Sequence, residues 1–191
     1  MMSAKGAGDA SVENKINLVI DLDRCWGCKA CEVACKQELE LGAGPRPMRV
    51  EAIGPRQIED QLHWDFVPVL CQHCQQPACR EACPTEAIYR ASDGTVQIDP
   101  DLCDHCGVCE SACPYGAIDH TDQRGPVKCT LCFSRRENGW LPSCAQHCVG
   151  RAFTVVLDQT LSDVTEGKKY VWRTGQVVYS SDKWASLGQS F

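Results

Sequence analysis

The stretch Cys103-Asp104-His105-Cys106-Gly107-Val108-Cys109-Glu110-Ser111-Ala112-Cys113-Pro114 carries four cysteines in the spacing C-x2-C-x2-C-x3-C. Ile98-Asp99-Pro100-Asp101-Leu102 leads into it, and Tyr115-Gly116-Ala117-Ile118 leads out. Both flanks recur. Ile20-Asp21-Leu22-Asp23-Arg24 precedes Cys25, and the exit is repeated as Cys83-Pro84-Thr85-Glu86-Ala87-Ile88 and, more weakly, as Cys148-Val149-Gly150-Arg151-Ala152-Phe153. An internal repeat of this kind sets the unit of the fold. A short strand ends in an acidic turn, a tight cysteine loop follows, and a short helix ends near the fourth cysteine. An Ala-apolar step then opens the next strand.

Outward from that stretch, all 16 cysteines fall into groups of four. The first is Cys25, Cys28, Cys31 and Cys35; the second is Cys71, Cys74, Cys79 and Cys83. The third is Cys103, Cys106, Cys109 and Cys113, and the fourth is Cys129, Cys132, Cys144 and Cys148. Disulfides fit this poorly, because three sulfurs in one seven-residue loop leave no separate Cβ geometry for each bridge. Zinc with four thiolates takes two C-x2-C pairs from separate loops. The fourth group, with eleven residues between Cys132 and Cys144, passes that test alone. Groups one and three do not, since zinc–sulfur bonds of about 2.3 Å around one ion would cramp such a loop.

An iron–sulfur cube offers separate corners, so one loop can reach three irons. Groups one and three match the bacterial ferredoxin run, whose fourth cysteine binds the other cluster of a pair. Four runs with no cysteine left over imply two reciprocal pairs and four clusters. The fold class expected is α+β: duplicated bacterial-ferredoxin-like modules with short strands, short helices and long loops.

Composition narrows the function. The formal charge is −6, and four loaded clusters would carry it to about −14, against a nucleic-acid partner. Met1 to Ile16 shows no apolar leader and no twin arginine, and no apolar run reaches membrane-span length. The expectation is a soluble or peripheral chain, cytoplasmic or carried to the periplasm by a partner that holds the signal. No Ser-His-acid grouping and no glycine-rich nucleotide loop stands out, so no catalytic residue is assigned.

The four runs together resemble the iron–sulfur subunit of molybdopterin oxidoreductases of the dimethyl sulfoxide, polysulfide and thiosulfate reductase type. The likeness spans about Ile16 to Leu157 and rests on CWGCKACEVACK, CQHCQQPACREACPTEAI, CDHCGVCESACPYGAI and the split fourth group. It implies cluster ligands in the sets Cys25, Cys28, Cys31, Cys148, nearest the catalytic partner; then Cys129, Cys132, Cys144, Cys35; then Cys103, Cys106, Cys109, Cys83; and, farthest, Cys71, Cys74, Cys79, Cys113. Nitrate-type members replace one ligand by tryptophan and hold three irons; Cys106 stands there here, which implies four irons at every site. The implied partners are a large molybdenum or tungsten bis-pterin catalytic subunit and a separate membrane anchor or quinone-reactive subunit. The implied role is a non-catalytic wire. The rival readings are a freestanding polyferredoxin serving a hydrogenase or other reductase, and a structural zinc protein.

The implied organisation is a flexible segment 1–15 and a first module from 16–36 with 126–157. A connecting excursion follows at 37–70, then a second module at 71–125 and a partner-contacting tail at 158–191. Strands are expected over 15–21, 88–90, 96–98 and 151–157, with a hairpin at Ser92-Asp93-Gly94 and another around Thr174-Gly175. Leu39 to Leu62, with Gly42, Gly44, Pro45, Pro47, Gly54 and Pro55, reads as an irregular excursion. Pro84 and Pro114 read as helix stops that also exclude solvent. His73, His105 and His147 read as local hydrogen-bonding or polar surface groups, with tuning of a cluster as the alternative, Trp26 as a cluster shield, a partner contact or plain packing, and Trp140 as a loop anchor. Lys29, Lys36, Arg80, Lys128, Arg135 and Arg136, close to the negatively charged clusters, read first as solvated surface cations, the alternatives being that they raise cluster potentials or bridge to a partner.

Overall fold

The computed structural model describes residues 15–58, 60–121 and 124–184. The expected flexible segment 1–15 lies outside the described residues apart from Lys15. Strand β1 (Ile16–Asp21) is the seed of the core. It is apolar at four of its six positions and buried from Ile16 to Ile20, as befits a strand covered on both faces. It runs between β8 (Phe153–Leu157), antiparallel, and β10 (Val177–Ser181), parallel; β9 (Tyr170–Thr174) closes the sheet in the order β8-β1-β10-β9. The tail is therefore structural in this part: residues 170–181 complete the sheet beside β1, with β9 at its edge.

Two three- to four-residue hairpins carry the middle of the chain. β4 (Ile88–Arg90) pairs with β5 (Val96–Ile98), and β6 (Ile118–Thr121) with β7 (Gly125–Lys128). The second pairing keeps 125–128 with the preceding unit, past the boundary expected at 125/126. Helices are short. α1 (Ala30–Glu38) packs on α5 (Ser143–Gln146), and α2 (Ala78–Glu81) packs on α3 (Val108–Ala112). α4 (Phe133–Glu137) lies in the long gap of the fourth cysteine group, and α6 (Leu161–Thr165) precedes the tail hairpin.

The excursion expected over 39–62 is instead half of a long antiparallel ribbon, β2 (Met48–Ile58) with β3 (Gln61–Leu70). Its prolines and glycine misled the reading because a two-stranded ribbon tolerates them. Gly54 and Pro55 occupy an irregularity between Ile53 and Arg56. Pro68 stands opposite Val50, whose N–H points out of the ribbon to Glu32 Oε1 at 2.5 Å, so no ladder bond is lost there. The inner end (Met48, Val50, Val67, Val69, Leu70) is buried in the main core with β1, Cys31, Cys35, Cys71, Cys129 and Cys144. The outer end exposes Leu62 and Trp64. A smaller core gathers Cys79, Ile88, Val96, Cys109 and Ile118.

Candidate metal centres

The cysteine loops share one backbone device. In the first C-x2-C pair of each group the residue before the second cysteine is left-handed: Gly27 (φ 69°), His73 (49°), His105 (62°) and Leu131 (50°). Such a residue turns successive N–H groups to one side, forming a concavity for negative charge. Leu131 N donates to Cys129 Sγ at 3.3 Å, and the Gly27 N–H bonds the Cys25 sulfur. Gly27 also needs its bare Cα, because a Cβ there would strike the Phe66 ring.

The exits repeat a second device. Three residues after Cys83, Cys113 and Cys148 stand Glu86 (φ 56°), Gly116 (51°) and Arg151 (51°), again left-handed. The next amide turns back onto the sulfur: Ala117 N to Cys113 Sγ at 3.5 Å, Ala152 N to Cys148 Sγ at 3.2 Å. Burial alone would raise the Cys83 thiol. Hydrogen bonds from the Thr85 side chain and from the N–H groups of Thr85, Ala87 and Ile88 outweigh it and bring the thiol below its ordinary value. The donating residue is alanine in all three copies, at most 1% exposed, so a small side chain lies under each sulfur. The repeated Ala-apolar step marked these positions in the sequence; the N–H···S bond behind it had no sequence signal.

Folding brings the thiols together across the groups. Burial pushes Cys31 up to about 12, helped by the nearby Cys25, Cys148 and Cys28 sulfurs. Cys25 is raised by burial and by Cys148 and Cys28. Cys35 is pushed up to about 12 by burial and by Cys132. Cys129 and Cys144, both deeply buried, are raised well above the usual thiol value, with Cys35 contributing to each. Cys79 is pushed up to about 11 by burial, Cys71, Cys113 and Cys74. Cys109 is raised by burial, Cys103, Cys83 and Cys106. These last four also line one cavity with Pro84, Ile88, Ile98 and Pro126. Thiols from different groups thus act on one another: Cys148 with Cys25 and Cys31, Cys35 with Cys129 and Cys144, Cys113 with Cys79, and Cys83 with Cys109. Quartets of thiols with amide N–H groups aimed at sulfur fit a cluster bound through thiolates, whose charge such donors stabilise. At neutral pH thiols this buried are protonated, so iron must displace protons. Among the described residues no three His, Cys, Asp or Glu side chains are arranged around a single ion.

Thiols of different quartets also act on one another. Cys71 lies near enough to Cys129 to raise its thiol, and Cys31 does the same to Cys144. Cys28 and Cys106 are exposed, whereas Cys71, Cys79, Cys129 and Cys144 are buried. The quartet containing Cys71 therefore adjoins the one containing Cys129.

The side residues sort by contact. His73 is fully buried, its Nδ1 accepting from Val96 N at 2.9 Å. His147 Nδ1 donates to the Ser143 carbonyl at 2.9 Å, and His105 is exposed. Trp26 is 67% exposed beside Gly150, and Trp140 is exposed under the Arg135 guanidinium. Arg135 pairs with Glu38 at 3.1 Å, Arg136 with Asp93 at 2.7 Å, and Lys36 reaches the Pro45 carbonyl at 3.1 Å. Lys128 overturns the surface reading: it is 3% exposed. No helix among the described residues is long and apolar enough to cross a membrane.

Comparison with known proteins agrees with this donor set. A family model described as the 4Fe-4S dicluster domain matches residues 62–157, and one described as the 4Fe-4S binding domain matches 18–38. The chain is 39% identical over 141 residues to YnfG, a probable anaerobic dimethyl sulfoxide reductase component of Escherichia coli, covering 70% of this chain and 69% of that protein. It is 36% identical over 164 residues to the thiosulfate reductase electron transfer subunit PhsB of Salmonella typhi, covering 84% and 85%. It is 38% identical over 142 residues to the B component of the tetrathionate reductase of Archaeoglobus fulgidus, covering 71% and 65%. The two matched stretches take in every cysteine of the chain, which belongs to the 4Fe-4S dicluster family of iron–sulfur subunits in molybdopterin oxidoreductases.

Proposed function

We propose that this chain is the electron-transfer subunit of a molybdenum or tungsten bis-pterin oxidoreductase and holds four [4Fe-4S] clusters. The ligand sets are Cys25, Cys28, Cys31, Cys148; Cys35, Cys129, Cys132, Cys144; Cys71, Cys74, Cys79, Cys113; and Cys83, Cys103, Cys106, Cys109. The carrying observation is the reciprocity of these quartets, in which Cys148 acts on Cys25 and Cys31 while Cys35 acts on Cys129 and Cys144. Each pair of quartets forms one ferredoxin-like module, the first from 16–36 with 129–157 and the second from 71–128. When bound, a cluster of this kind accepts and releases one electron at a time.

The chain's own residues do the rest. Amide N–H groups at Gly27, Leu131, Ala117 and Ala152 steady the negative charge on sulfur. Buried apolar side chains exclude water from the inner quartets, and the exposed Cys28 and Cys106 mark the two ends of the path. The first-named quartet would face the catalytic subunit and the last-named the membrane or soluble redox partner. The complex would be cytoplasmic, or periplasmic by export with a partner that carries the signal.

Metal and sulfide analysis of anaerobically purified protein tests this directly. The expected content is about 16 iron and about 16 acid-labile sulfide per chain, with a large pterin-bearing subunit co-purifying. Zinc-loaded protein without sulfide would falsify it.

A further inference from the structure

Lys128 is a buried cation with no carboxylate. It ends β7, is 3% exposed, and gives its Nζ hydrogens to the Val96 carbonyl and to the Cys129 carbonyl, the latter at 3.0 Å. Among the described residues no Asp or Glu oxygen lies within ion-pair distance of it. Two carbonyl dipoles do not balance an ammonium ion in a low-dielectric interior, so a counter-charge must lie nearby.

Its surroundings say what that counter-charge is. Lys128 lies close enough to Cys79 to act on its thiol, and it is joined through its own peptide bond to Cys129. It also faces His73, whose Nδ1 accepts a hydrogen bond from Val96 N. A ring nitrogen that accepts a hydrogen bond carries no proton, so that imidazole is neutral and supplies no charge of either sign. Two further cations face His73: Arg136 is matched by Asp93 at 2.7 Å, and Arg90, held by the carbonyls of Gly94, Cys74 and Gln75, lies at the rim of the same quartet beside Cys74. The acidic partners left to Lys128 are the thiolate quartets on either side of it, one holding Cys79 and the other Cys129.

We propose that Lys128 is the fixed counter-charge of the two inner clusters, at Cys35, Cys129, Cys132, Cys144 and at Cys71, Cys74, Cys79, Cys113, and that it raises their reduction potentials relative to the two outer ones. Adding one electron makes a cluster more negative, and a buried ammonium beside it favours that state more than water would. The proposal rests on the four-cluster reading above. It gives the middle of the path a charge that the ends, with Cys28 and Cys106 exposed to screening solvent, do not share.

The test is an anaerobic redox titration of the intact complex followed by EPR, comparing wild type, Lys128→Met and Lys128→Arg, with iron and sulfide measured on the same samples. In Lys128→Met the reduced-to-oxidised ratio of the two inner clusters at a fixed potential should fall about tenfold, a shift of about 59 mV for one electron. The outer clusters should move far less, and Lys128→Arg should restore the inner pair. Unchanged potentials, or four equal shifts, in fully loaded protein overturn the proposal. If Lys128→Met loads no iron, Lys128→Arg decides. Full loading with wild-type potentials supports the charge, and loss of iron from both variants overturns it in favour of mere fit. A wild-type chain with fewer clusters fails the four-cluster reading instead, and the metal analysis registers that separately.

Discussion

Lys29 and Gly107 occupy the same place in two copies of one loop, and both are left-handed, with φ of 60° and 76°. Glycine adopts that conformation without a Cβ clash, whereas an L side chain loses roughly 1–2 kcal/mol there. Part of the difference is offset by the greater freedom of glycine in the unfolded chain. Lys29→Gly should therefore stabilise the protein by about 0.5–1 kcal/mol, and Gly107→Lys should destabilise it by a similar amount, about 0.5–1 kcal/mol. The guanidinium midpoint of the visible cluster absorbance, measured without oxygen, reads both; a lower midpoint for Lys29→Gly would remove the argument. The same comparison shows what sequence reveals at this scale. The cysteines and the repeated exits are legible from spacing. The left-handed turns are legible only where glycine stands, at Gly27, Gly107 and Gly116, and hidden where His73, His105, Leu131, Glu86 and Arg151 adopt the same φ.

Among elements, the hairpin β4–β5 was legible because its turn is local: Asp93 caps Thr95 N at 2.9 Å inside the Ser92-Asp93-Gly94 turn. The tail was legible only as a hairpin. Its insertion beside β1 rests on contacts far apart in sequence, such as Gln176 Nε2 to the Ile16 carbonyl at 2.8 Å. Gly175 lets it sit down: a Cβ there would strike the carbonyl oxygens of Gln72 and His73. A second clamp is Lys168, whose Nζ meets Asp21 at 3.0 Å and Asp23 and Asp182 at 3.2 Å. Burial alone would lower the Lys168 ammonium, but its hydrogen bonds to those carboxylates outweigh that and hold it above the ordinary lysine value. The Lys169 N–H and the Lys168 ammonium hold Asp182 below the ordinary carboxylate value. A raised lysine stabilises below about pH 10.4 and loses that contribution as pH rises through its folded value. A lowered carboxylate stabilises above about pH 3.9 and loses it as pH falls through its folded value. The clamp is thus closed across the neutral range. Lys168→Met should weaken the tail by about 1 kcal/mol, read as faster amide exchange over Val177–Ser181 at neutral pH. Unaltered exchange would show that the ion cluster does not hold the tail.

On the scale of the whole molecule, most elements are too small to stand without the metal. Helices of four or five residues do not persist in water, and isolated two-stranded hairpins are marginal at best. That describes α2, α3, α4 and α5 and the hairpins β4–β5 and β6–β7. The four-stranded sheet is different, because β1 is buried between two neighbours and packs on the inner end of the β2–β3 ribbon. Iron removal should therefore unfold the chain unevenly. Thiol quartets join groups one to four across long loops, and without them the closure entropy of those loops returns to the open chain. After anaerobic chelation, amide exchange should become fast over 88–98 and 118–128 and remain slower over Leu18–Ile20. The near-UV circular dichroism of the buried Trp184 and Tyr179 should weaken. Uniform protection before and after chelation would mean that apolar packing alone carries the fold. Protection lost everywhere at once would mean that the sheet, too, depends on the clusters.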